Sequence, residues 1–428
     1  MENLFQLFYE CTGVSTDTRN IKENELYVAL KGETFNGNQY AQKAIEAGAK
    51  YAIVDEKEFA NGKNIHLVED GLVFLQKLAE FHRKKFNIPF IGITGSNGKT
   101  TTKELIAAVL NERYKVHYTQ GNLNNHIGVP LTLLAMPTDS EIAIIEMGAS
   151  KLGDIKELTD IAHPTHAIIT NIGTAHIEGF GSQENILKTK TELYRAVEEI
   201  QGHIFFNQDD ELLKDKLPNG CTYSSYGIEA SADIYGTLIA ATPQVSFKWN
   251  SKDYHSPTLQ AHIIGKYNLY NMLAAVCVGT FFEVENEKIN KALESYMPSN
   301  NRSQLEKTAN NQLILDAYNA NPTSLRAALE NFAEIDTEEK LFIIGDMLEL
   351  GPDTLDYHNE IIALTKQLQL QGIFVGKLFQ QLAEENNILA FPSTKETKRF
   401  LQTAKPKNNL ILLKGSRGIG LEKLVEVL

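Results

Sequence analysis

The chain is poor in cysteine and in long apolar runs. Its 428 residues include three cysteines, Cys11, Cys221 and Cys277, which lie far apart and form no Cys-x-x-Cys pair. This spacing argues against a disulfide framework or a zinc cluster and favours a reducing compartment. No apolar run reaches the roughly 20 residues needed to cross a bilayer, and no basic segment precedes the first apolar residues, as it would in a secretory signal. We therefore expect a cytoplasmic protein with no membrane insertion.

Positive charge is also scarce. The chain has 41 basic and 54 acidic residues, a net charge of −13, and 43% hydrophobic residues. Sequence-independent binding to nucleic acid needs a basic surface that displaces counterions, so we expect no nucleic-acid partner. The balance excludes a mostly disordered chain. An acidic protein can still have a local basic pocket for small anionic substrates. We also expect the protein to be a monomer.

The length and the apolar pattern predict an α/β protein of about three domains, at about 150 residues each. We expect an N-terminal α/β domain over residues 1–86, a central ATP-binding domain with a parallel sheet over 87–298, and a C-terminal Rossmann-like domain over 299–428. The first boundary precedes Pro89, because proline disfavours helix in the residue before it. The second lies in the polar, turn-prone segment 298–301.

Short apolar runs alternate with amphipathic ones through most of the chain, as in parallel sheets covered by helices. Segment 221–262 is instead rich in Thr, Ser and Tyr, which predicts a small antiparallel excursion. The predicted strands cover residues 26–30, 51–54, 90–94, 142–146, 167–170, 203–207, 313–316, 341–344, 373–375 and 410–413. The predicted helices include 72–86, 101–112 and 183–200.

The strongest local signal is the segment Thr94-Gly95-Ser96-Asn97-Gly98-Lys99-Thr100, which follows an apolar strand and precedes a helix. Glycines allow backbone N–H groups to close around phosphate oxygens, and the helix N-terminus adds positive potential. Lys99 would contact the β- and γ-phosphates, and the Thr100 hydroxyl would bind Mg²⁺. The alternative is an ordinary turn between a strand and a helix.

A carboxylate ends the predicted strand 142–146. The carboxyl ends of strands in open α/β sheets face the ligand crevice, and Mg²⁺ prefers oxygen ligands. Glu146 is therefore a candidate metal ligand, and a solvated glutamate at a strand end is the alternative.

Two residues separate Gly95 from Gly98, where the usual phosphate loop has four between its glycines. This short TGxNGKT form resembles the Mur ligases, the ATP-dependent amide-bond-forming enzymes of peptidoglycan synthesis, and the resemblance extends over nearly the whole chain. It implies ATP and Mg²⁺ as cofactors. The implied ATP-binding residues of the loop are Gly95, Ser96, Asn97, Gly98, Lys99, Thr100 and Thr101.

The resemblance also implies further metal ligands. His176, in a loop after a predicted strand, would complete the coordination of a second ion. Lys190 matches the family's K-x-E-[IL]-[FY] context, in which CO₂ carbamylates the lysine and gives an anion with oxygen ligands. Lys188 is the nearby competitor, and a surface scatter of Lys and Glu is the alternative. Lys99, Glu146, His176 and Lys190 are the implied catalytic set.

Other family segments imply nucleotide contacts. Asn268 and Asn271 lie three residues apart, on one face of a helix start, where amides suit an adenine edge; alternatively, Asn268 caps the helix. Arg302 and Asp316 would contact the ribose and phosphates of ATP. Asn321-Pro322 also fits a helix start with proline at the first position.

The closest match is to the branch that adds D-Ala-D-Ala to UDP-N-acetylmuramoyl-tripeptide, carried by the segments 316–322, 344–351 and 413–417. Lys414 and Arg417 either bind a carboxylate or are solvated. Segments 15–19 and 30–38 resemble the family's UDP-sugar-binding segments, with turn chemistry as the alternative. The implied substrate-binding residues are Ser15, Asp17, Arg19, Asn319, Lys414 and Arg417.

The leading hypothesis is thus an ATP-dependent, ADP-forming ligase that activates the tripeptide carboxylate as an acyl phosphate. Three alternatives remain open: another Mur-type ligase or a folylpolyglutamate synthase, a nucleotide-binding protein without ligase activity, and a small-molecule kinase.

Overall fold

The computed structural model describes residues 2–242, 244–298 and 302–428. Three sheets of four, nine and six strands, together with one two-stranded hairpin, organise these residues. The predicted α/β class is therefore confirmed. The second predicted domain boundary falls in segment 298–301, of which residues 299–301 lie outside the described residues.

The N-terminal unit contains a four-stranded parallel sheet in the order β1-β2-β5-β6. Its strands are β1 (Val14–Ser15), β2 (Leu26–Val28), β3 (Lys31–Gly32), β4 (Phe35–Asn36), β5 (Tyr51–Val54) and β6 (Ile65–Leu67), and its helices are α1 (Glu2–Phe5), α2 (Ala41–Glu46) and α3 (Gly71–Arg83). The apolar face of α3 packs against the central unit, so that Phe74, Leu75 and Leu78 share a core with Phe90 and Ile145. The predicted helix 72–86 corresponds to α3.

The central unit is a nine-stranded sheet in the order β15-β14-β13-β12-β11-β10-β7-β9-β8. Its strands are β7 (Phe90–Thr94), β8 (Val116–Tyr118), β9 (Ile142–Glu146), β10 (His166–Ile169), β11 (His203–Asn207), β12 (Thr222–Gly227), β13 (Ile234–Ala240), β14 (Ser246–Asn250) and β15 (Leu259–Gln260). Its helices are α4 (Lys99–Leu110), α5 (Gly128–Leu134), α6 (Asp154–Ala162), α7 (Ile177–Phe180), α8 (Gln183–Lys190), α9 (Glu192–Glu198), α10 (Glu211–Lys214), α11 (Asn268–Phe281) and α12 (Asn286–Ser295).

Successive side chains of the central strands enter two different cores, because the side chains of a strand alternate between faces. Phe90 packs with α3, α5, α6 and α9, and its neighbour Ile91 packs with α4 and α11. This double burial explains why β7, β9 and β11 are apolar through most of their length and match the predicted bounds.

The antiparallel excursion predicted for segment 221–262 is confirmed for β13, β14 and β15, which pair antiparallel. Before it, β12 and β13 extend the same sheet in parallel from β11. One prediction for the central unit needs correction. The predicted helix 183–200 is divided into α8 and α9 at Thr191. The Thr191 hydroxyl donates to the carbonyl of Leu187 at 2.9 Å, a back-bond of the type that bends helices.

The C-terminal unit is a six-stranded sheet in the order β16-β17-β21-β18-β19-β20. Its strands are β16 (Gln304–Lys307), β17 (Gln312–Asp316), β18 (Lys340–Gly345), β19 (Gly372–Val375), β20 (Ala390–Phe391) and β21 (Leu410–Lys414), and its helices are α13 (Pro322–Glu334), α14 (Thr354–Gln367), α15 (Lys377–Gln381), α16 (Ala383–Asn386) and α17 (Thr394–Ala404). The edge strand β16 runs antiparallel to β17, and the other five strands of this sheet run parallel to one another. No helix in the part of the chain that the structure describes is long and apolar enough to span a membrane.

We predict that His82 contributes to acid instability. Its ring is buried beside Phe8 and Phe86, and burial lowers the pKa of His82 from 6.5 to about 4. The unfolded chain therefore binds one more proton than the folded chain between these pH values, so stability falls as the pH falls from 6.5 to 4, by up to about 1.4 kcal/mol per pH unit. Urea unfolding of His82→Phe at several pH values should show a shallower fall. An unchanged pH dependence would refute this role, and the exposed His255, changed to Phe, is the control.

Candidate active site

A cavity of about 830 Å³ lies where the carboxyl ends of the central strands meet the C-terminal unit. Such strand ends are the usual ligand crevice of an open α/β sheet. Most of the predicted site residues line it: Ser96, Asn97, Gly98, Lys99, Thr100, Thr101, Glu146, His176, Asn268, Asn271, Arg302, Asp316, Asn319, Lys414 and Arg417. Gly95, Lys190, Ser15, Asp17 and Arg19 are not on its wall.

The loop between β7 and α4 depends on two glycines. Gly95 has φ +143°, and a Cβ there would lie 2.0 Å from the Thr170 Oγ1 atom. Gly98 has φ +81° directly before α4, and a Cβ there would lie 2.8 Å from the Asn271 Oδ1 atom. Both positions therefore require glycine. The loop leads into the N-terminus of α4, where the helix dipole favours an anion.

Lys99 is the first residue of α4, and its side chain turns back over the loop. Its Nζ atom donates to the carbonyl oxygens of Gly95 at 2.7 Å and Ser96 at 3.2 Å. Burial lowers the pKa of Lys99 to about 8, against the opposing charge of Glu146. A buried ammonium at a glycine loop is suited to contact the oxygens of a phosphate.

Glu146 ends β9 and is 1% exposed. Its Oε1 atom accepts from the Thr100 hydroxyl at 3.0 Å and from the Asn124 amide at 2.7 Å. Its Oε2 atom is buried and has no hydrogen-bond partner among the described residues; the Lys103 Nζ atom lies 3.7 Å away. A buried, unpartnered carboxylate oxygen beside a threonine hydroxyl fits a hard divalent cation.

His176 and Lys190 both lie close enough to Lys99 to be affected by its charge. The His176 Nδ1 atom pairs with the Glu349 carboxylate from the C-terminal unit. Lys190 is 2% exposed and forms no ion pair among the described residues. Its burial, with the charge of Lys99 adding to the effect, holds the pKa of Lys190 well below its usual range. The described ranges contain no group of three or more His, Cys, Asp or Glu side chains that could hold a metal ion by itself.

Asn268 and Asn271 connect α11 to the phosphate loop. The Asn271 amide donates to the Asn268 Oδ1 atom at 2.7 Å, and the Thr102 hydroxyl donates to the Asn271 Oδ1 atom at 3.1 Å. The Asn268 amide donates to the carbonyl of Ile264 at 2.7 Å. Asn268 is the first helical residue and makes no side-chain cap, so the capping alternative is wrong.

The C-terminal unit contributes the opposite wall. The Lys414 Nζ atom lies 2.5 Å from the Asp316 Oδ2 atom, and Lys414 is buried, so this lysine is not simply solvated. The Arg302 guanidinium stacks over the Tyr318 ring at 3.7 Å, and the Arg417 guanidinium lies 5.5 Å from the same ring. A ring between two guanidinium groups orders both through cation–π contacts.

The predicted helix start at Asn321-Pro322 is confirmed. Asn321 and Ser324 form a capping box at the start of α13. The Asn321 amide also donates to the Asn97 Oδ1 atom of the phosphate loop at 2.7 Å, and the hydroxyls of Thr174 and Thr323 lie 3.0 Å apart. The cap of a C-terminal helix therefore contacts the phosphate loop of the central unit directly.

We predict separate effects for two substitutions of Asn321. Asn321→Ala removes the cap and should lower the free energy of unfolding by about 1 kcal/mol. Asn321→Asp keeps an acceptor for the cap but has no amide to donate to Asn97, so it should leave stability unchanged and reduce turnover about 2- to 10-fold, the value of one hydrogen bond. Urea unfolding and steady-state turnover test this. Equal turnover of Asn321→Asp and wild type would show that the contact with Asn97 has no role.

Ser15, Asp17 and Arg19 form a separate group at the surface of the N-terminal unit, in which Arg19 is exposed and the other two are half-buried. The Asp17 carboxylate accepts from the Arg19 side chain at 2.7 and 2.9 Å, and this pairing lowers the pKa of Asp17 to about 2. Asn38, in the second predicted sugar-binding segment, is fully buried and donates to the Asp55 Oδ1 atom at 2.7 Å. This contact ties Asn38 to β5 of the N-terminal unit, and the sugar-binding role of segment 30–38 stays a prediction.

Several residues of the cavity were missed by sequence reasoning, notably Asn124, Asp154, Tyr318 and Glu349. Asn124 lies in the polar segment 120–126 before α5, and its dense asparagine content was the available signal. Tyr318 and Glu349 lie inside segments that the family resemblance included, although no role was assigned to them.

Comparison with known proteins defines the class. Sequence profiles described as the Mur ligase middle domain, the Mur ligase glutamate ligase domain, and the Mur ligase family catalytic domain match residues 93–279, 301–417 and 10–84. The chain belongs to the Mur ligase family.

Several relatives within that family carry the same name. The chain is similar to the UDP-N-acetylmuramoyl-tripeptide--D-alanyl-D-alanine ligases of Bacillus subtilis, with 36% identity over 97% of this chain and 92% of that one, and of Escherichia coli, with 30% identity over 97% and 93%. Among solved structures it resembles MurF from Acinetobacter baumannii, with a TM-score of 0.87 at 30% identity over 98% and 97% of the two chains. It also resembles MurF ligase from Thermotoga maritima in complex with ADP, with a TM-score of 0.84 at 27% identity over 98% and 97%.

Proposed function

We propose that this protein is an ATP-dependent, ADP-forming ligase that joins D-Ala-D-Ala to UDP-N-acetylmuramoyl-tripeptide in the synthesis of peptidoglycan precursors. One observation carries the proposal: a single cavity combines a phosphate loop, a carboxylate with a buried oxygen that has no hydrogen-bond donor among the described residues, and a wall supplied by the C-terminal unit. The full-length similarity to ligases of this name supports the substrate pair.

The chemistry requires activation, because a carboxylate is a poor electrophile and has no good leaving group. A terminal carboxylate oxygen of the tripeptide attacks the γ-phosphorus of ATP, which gives an acyl phosphate and ADP. The amine of D-Ala-D-Ala then attacks the acyl carbon, the C–O bond to phosphate breaks, and inorganic phosphate leaves. Most of the catalysis in such a transfer is positioning and charge neutralisation.

The central unit supplies the phosphate loop for the phosphoryl transfer, and the C-terminal unit adds Arg302, Asp316 and Tyr318. We assign the backbone of Gly95–Thr101 and the ammonium of Lys99 to the phosphates of ATP. Asn268 and Asn271 are assigned to adenine, and Arg302 and Asp316 to the ribose and phosphates, because all four line the cavity beside the loop. Tyr318 stacks under Arg302 and holds its guanidinium in place.

Mg²⁺ fits the residues on the central side. Glu146 Oε2 is buried and accepts no hydrogen bond from the described residues, with the Lys103 ammonium 3.7 Å away, and the Thr100 hydroxyl donates to Oε1 of the same carboxylate. A bound Mg²⁺ supplies charge neutralisation for the transferring phosphoryl group. Lys190, if carbamylated by CO₂, and His176 are the proposed further ligands. The buried, unpaired amine of Lys190 supports this, because a neutral amine is the form that reacts with CO₂.

The acceptor and the amine are assigned to different units. Ser15, Asp17 and Arg19 of the N-terminal unit are proposed to contact the UDP-sugar, and Asn319, Lys414 and Arg417 of the C-terminal unit the incoming dipeptide. This division corresponds to domains 1–86, 87–298 and 299–428. We further propose that the enzyme is a cytoplasmic monomer, in keeping with its soluble small-molecule substrates.

Phosphate release by the purified protein tests the proposal. With ATP, Mg²⁺ and UDP-N-acetylmuramoyl-tripeptide, D-Ala-D-Ala should support sustained phosphate release and give the pentapeptide product by mass spectrometry. L-Ala, D-Glu and diaminopimelate should not replace it. Turnover that requires a different amine or acceptor would indicate another ligase of the family, and nucleotide binding without turnover would indicate a protein without ligase activity.

A further inference from the structure

Two segments from different units contact each other at one wall of the cavity. Residues 176–178, which follow β10 and include the start of α7, meet residues 349–351, which follow β18. We call this contact the clasp. Glu349 makes two contacts across the gap: its carboxylate pairs with the His176 Nδ1 atom, and its carbonyl accepts from the backbone N–H of Glu178 at 3.3 Å. Glu349 of the C-terminal unit therefore contacts both the side chain of His176 and the backbone of Glu178 in the central unit.

The backbone at this clasp is in a sparsely populated conformation on both sides. His176 has φ +56° and Glu349 has φ +64°. A non-glycine residue in this left-handed region is held there by its surroundings, commonly at functional sites. The surroundings are visible here: Ile177 packs against the cores of both units, and a Cβ added to Gly351 would lie 3.4 Å from the Cα of Glu178. The two segments therefore pack closely against each other.

The pairing selects one form of the imidazole ring. The His176 Nδ1 atom faces the Glu349 carboxylate, which can only accept a hydrogen bond when it is ionised. A neutral ring that donates its Nδ1–H to a carboxylate carries its lone pair on Nε2. This arrangement, carboxylate to histidine to metal, fixes both the tautomer and the orientation of a histidine ligand.

We propose that Glu349 is a positioning residue for His176. It holds the ring in the tautomer with a free Nε2 atom, and because it belongs to the C-terminal unit, it makes this ligand available only when that unit is docked on the central unit. Closure of the C-terminal unit and completion of the metal site are thereby one event. The inference rests on the proposed function for the identity of the cation.

Binding of Mn²⁺, as a spectroscopic substitute for Mg²⁺, tests the proposal without turnover. The free Mn²⁺ signal in electron paramagnetic resonance is titrated with the full-length protein and a non-hydrolysable ATP analogue. Glu349→Ala should weaken Mn²⁺ binding about 10- to 100-fold, the usual effect of losing the partner of a metal-binding histidine. Glu349→Gln keeps an oxygen acceptor for Nδ1–H and should recover part of this loss. In a His176→Ala background, Glu349→Ala should have no further effect.

Glu178→Gln is the matched control, because the Glu178 side chain is exposed on the facing segment and its substitution removes the same charge. This variant should bind Mn²⁺ as wild type does. Equal Mn²⁺ affinity of wild type and Glu349→Ala would overturn the proposal, as would an additive loss in the His176→Ala background. Thermal unfolding of each variant shows whether it is folded, and Glu349→Leu, which also lacks an acceptor for Nδ1–H, carries the test if Glu349→Ala is not. The titration contains no tripeptide or dipeptide, so a failure of the proposed ligase activity in wild type would be seen separately.

Discussion

Replacement of Lys190 by alanine is expected to reduce amide-bond formation at least about 100-fold, the scale of losing one electrostatic contact to the transition state. The amine of Lys190 is buried, has no carboxylate partner among the described residues, and has a pKa well below its usual range because of burial and the nearby Lys99. Carbamylation converts this amine into an anion with two oxygen ligands, and alanine has neither. Steady-state phosphate release with saturating substrates measures the loss.

Chemical rescue identifies the cause of that loss. A short carboxylic acid such as formate or acetate supplies the missing carboxylate and should restore part of the turnover of Lys190→Ala, independently of CO₂. Lys188→Ala is the matched control: this lysine is on the same helix, two residues away and exposed, and its loss should leave turnover unchanged. Full activity of Lys190→Ala would show that the carbamate assignment is wrong.

Lys99→Ala is expected to have an effect of similar size, with kcat/KM for ATP lowered about 10²- to 10³-fold. The ammonium of Lys99 is held by the carbonyl oxygens of Gly95 and Ser96 in a half-buried position on the cavity wall. Lys99→Arg should restore little, because a planar guanidinium fork does not fit a site built for a compact point charge. Both variants should retain the wild-type free energy of unfolding within about 1 kcal/mol.

The exposed Lys115, which pairs with Asp139 on the surface, gives the control for loss of one positive charge. Lys115→Ala should leave kcat/KM for ATP unchanged at moderate ionic strength. If Lys99→Ala had the kcat/KM of Lys115→Ala, the loop between β7 and α4 would not be the site of phosphoryl transfer.

The elements that could be predicted from sequence are those buried on both faces. β7, β9 and β11 match the predicted bounds because every side chain in them is buried, so the apolar run and the strand coincide. β16 was missed because this edge strand, Gln304–Lys307, is polar and only half-buried. The break at Thr191 was missed because one hydroxyl back-bond determines it, and no periodicity reports such a bond.

The same distinction holds for the site. The phosphate loop is local, so its residues and spacing were visible in the sequence. The partners of the loop are not local: Asn124 and Thr100 meet at Glu146, and Asn321 reaches Asn97 across 224 positions. The first two contacts depend on how the strands and loops of the central unit pack, and the third on how the C-terminal unit docks on it; no local pattern encodes either. For Lys414, the sequence suggested either a substrate carboxylate or solvent as its partner. In the structure its ammonium pairs with Asp316.

The transfer of oxygen from the tripeptide to phosphate tests the central claim most directly. The tripeptide is labelled with ¹⁸O in its terminal carboxylate, and the phosphate released during turnover with D-Ala-D-Ala is analysed by mass spectrometry. An acyl phosphate intermediate breaks at its C–O bond when the amine attacks, so each phosphate should carry one ¹⁸O atom. Unlabelled phosphate, or label recovered in AMP, would contradict the proposed activation of the carboxylate by the γ-phosphoryl group.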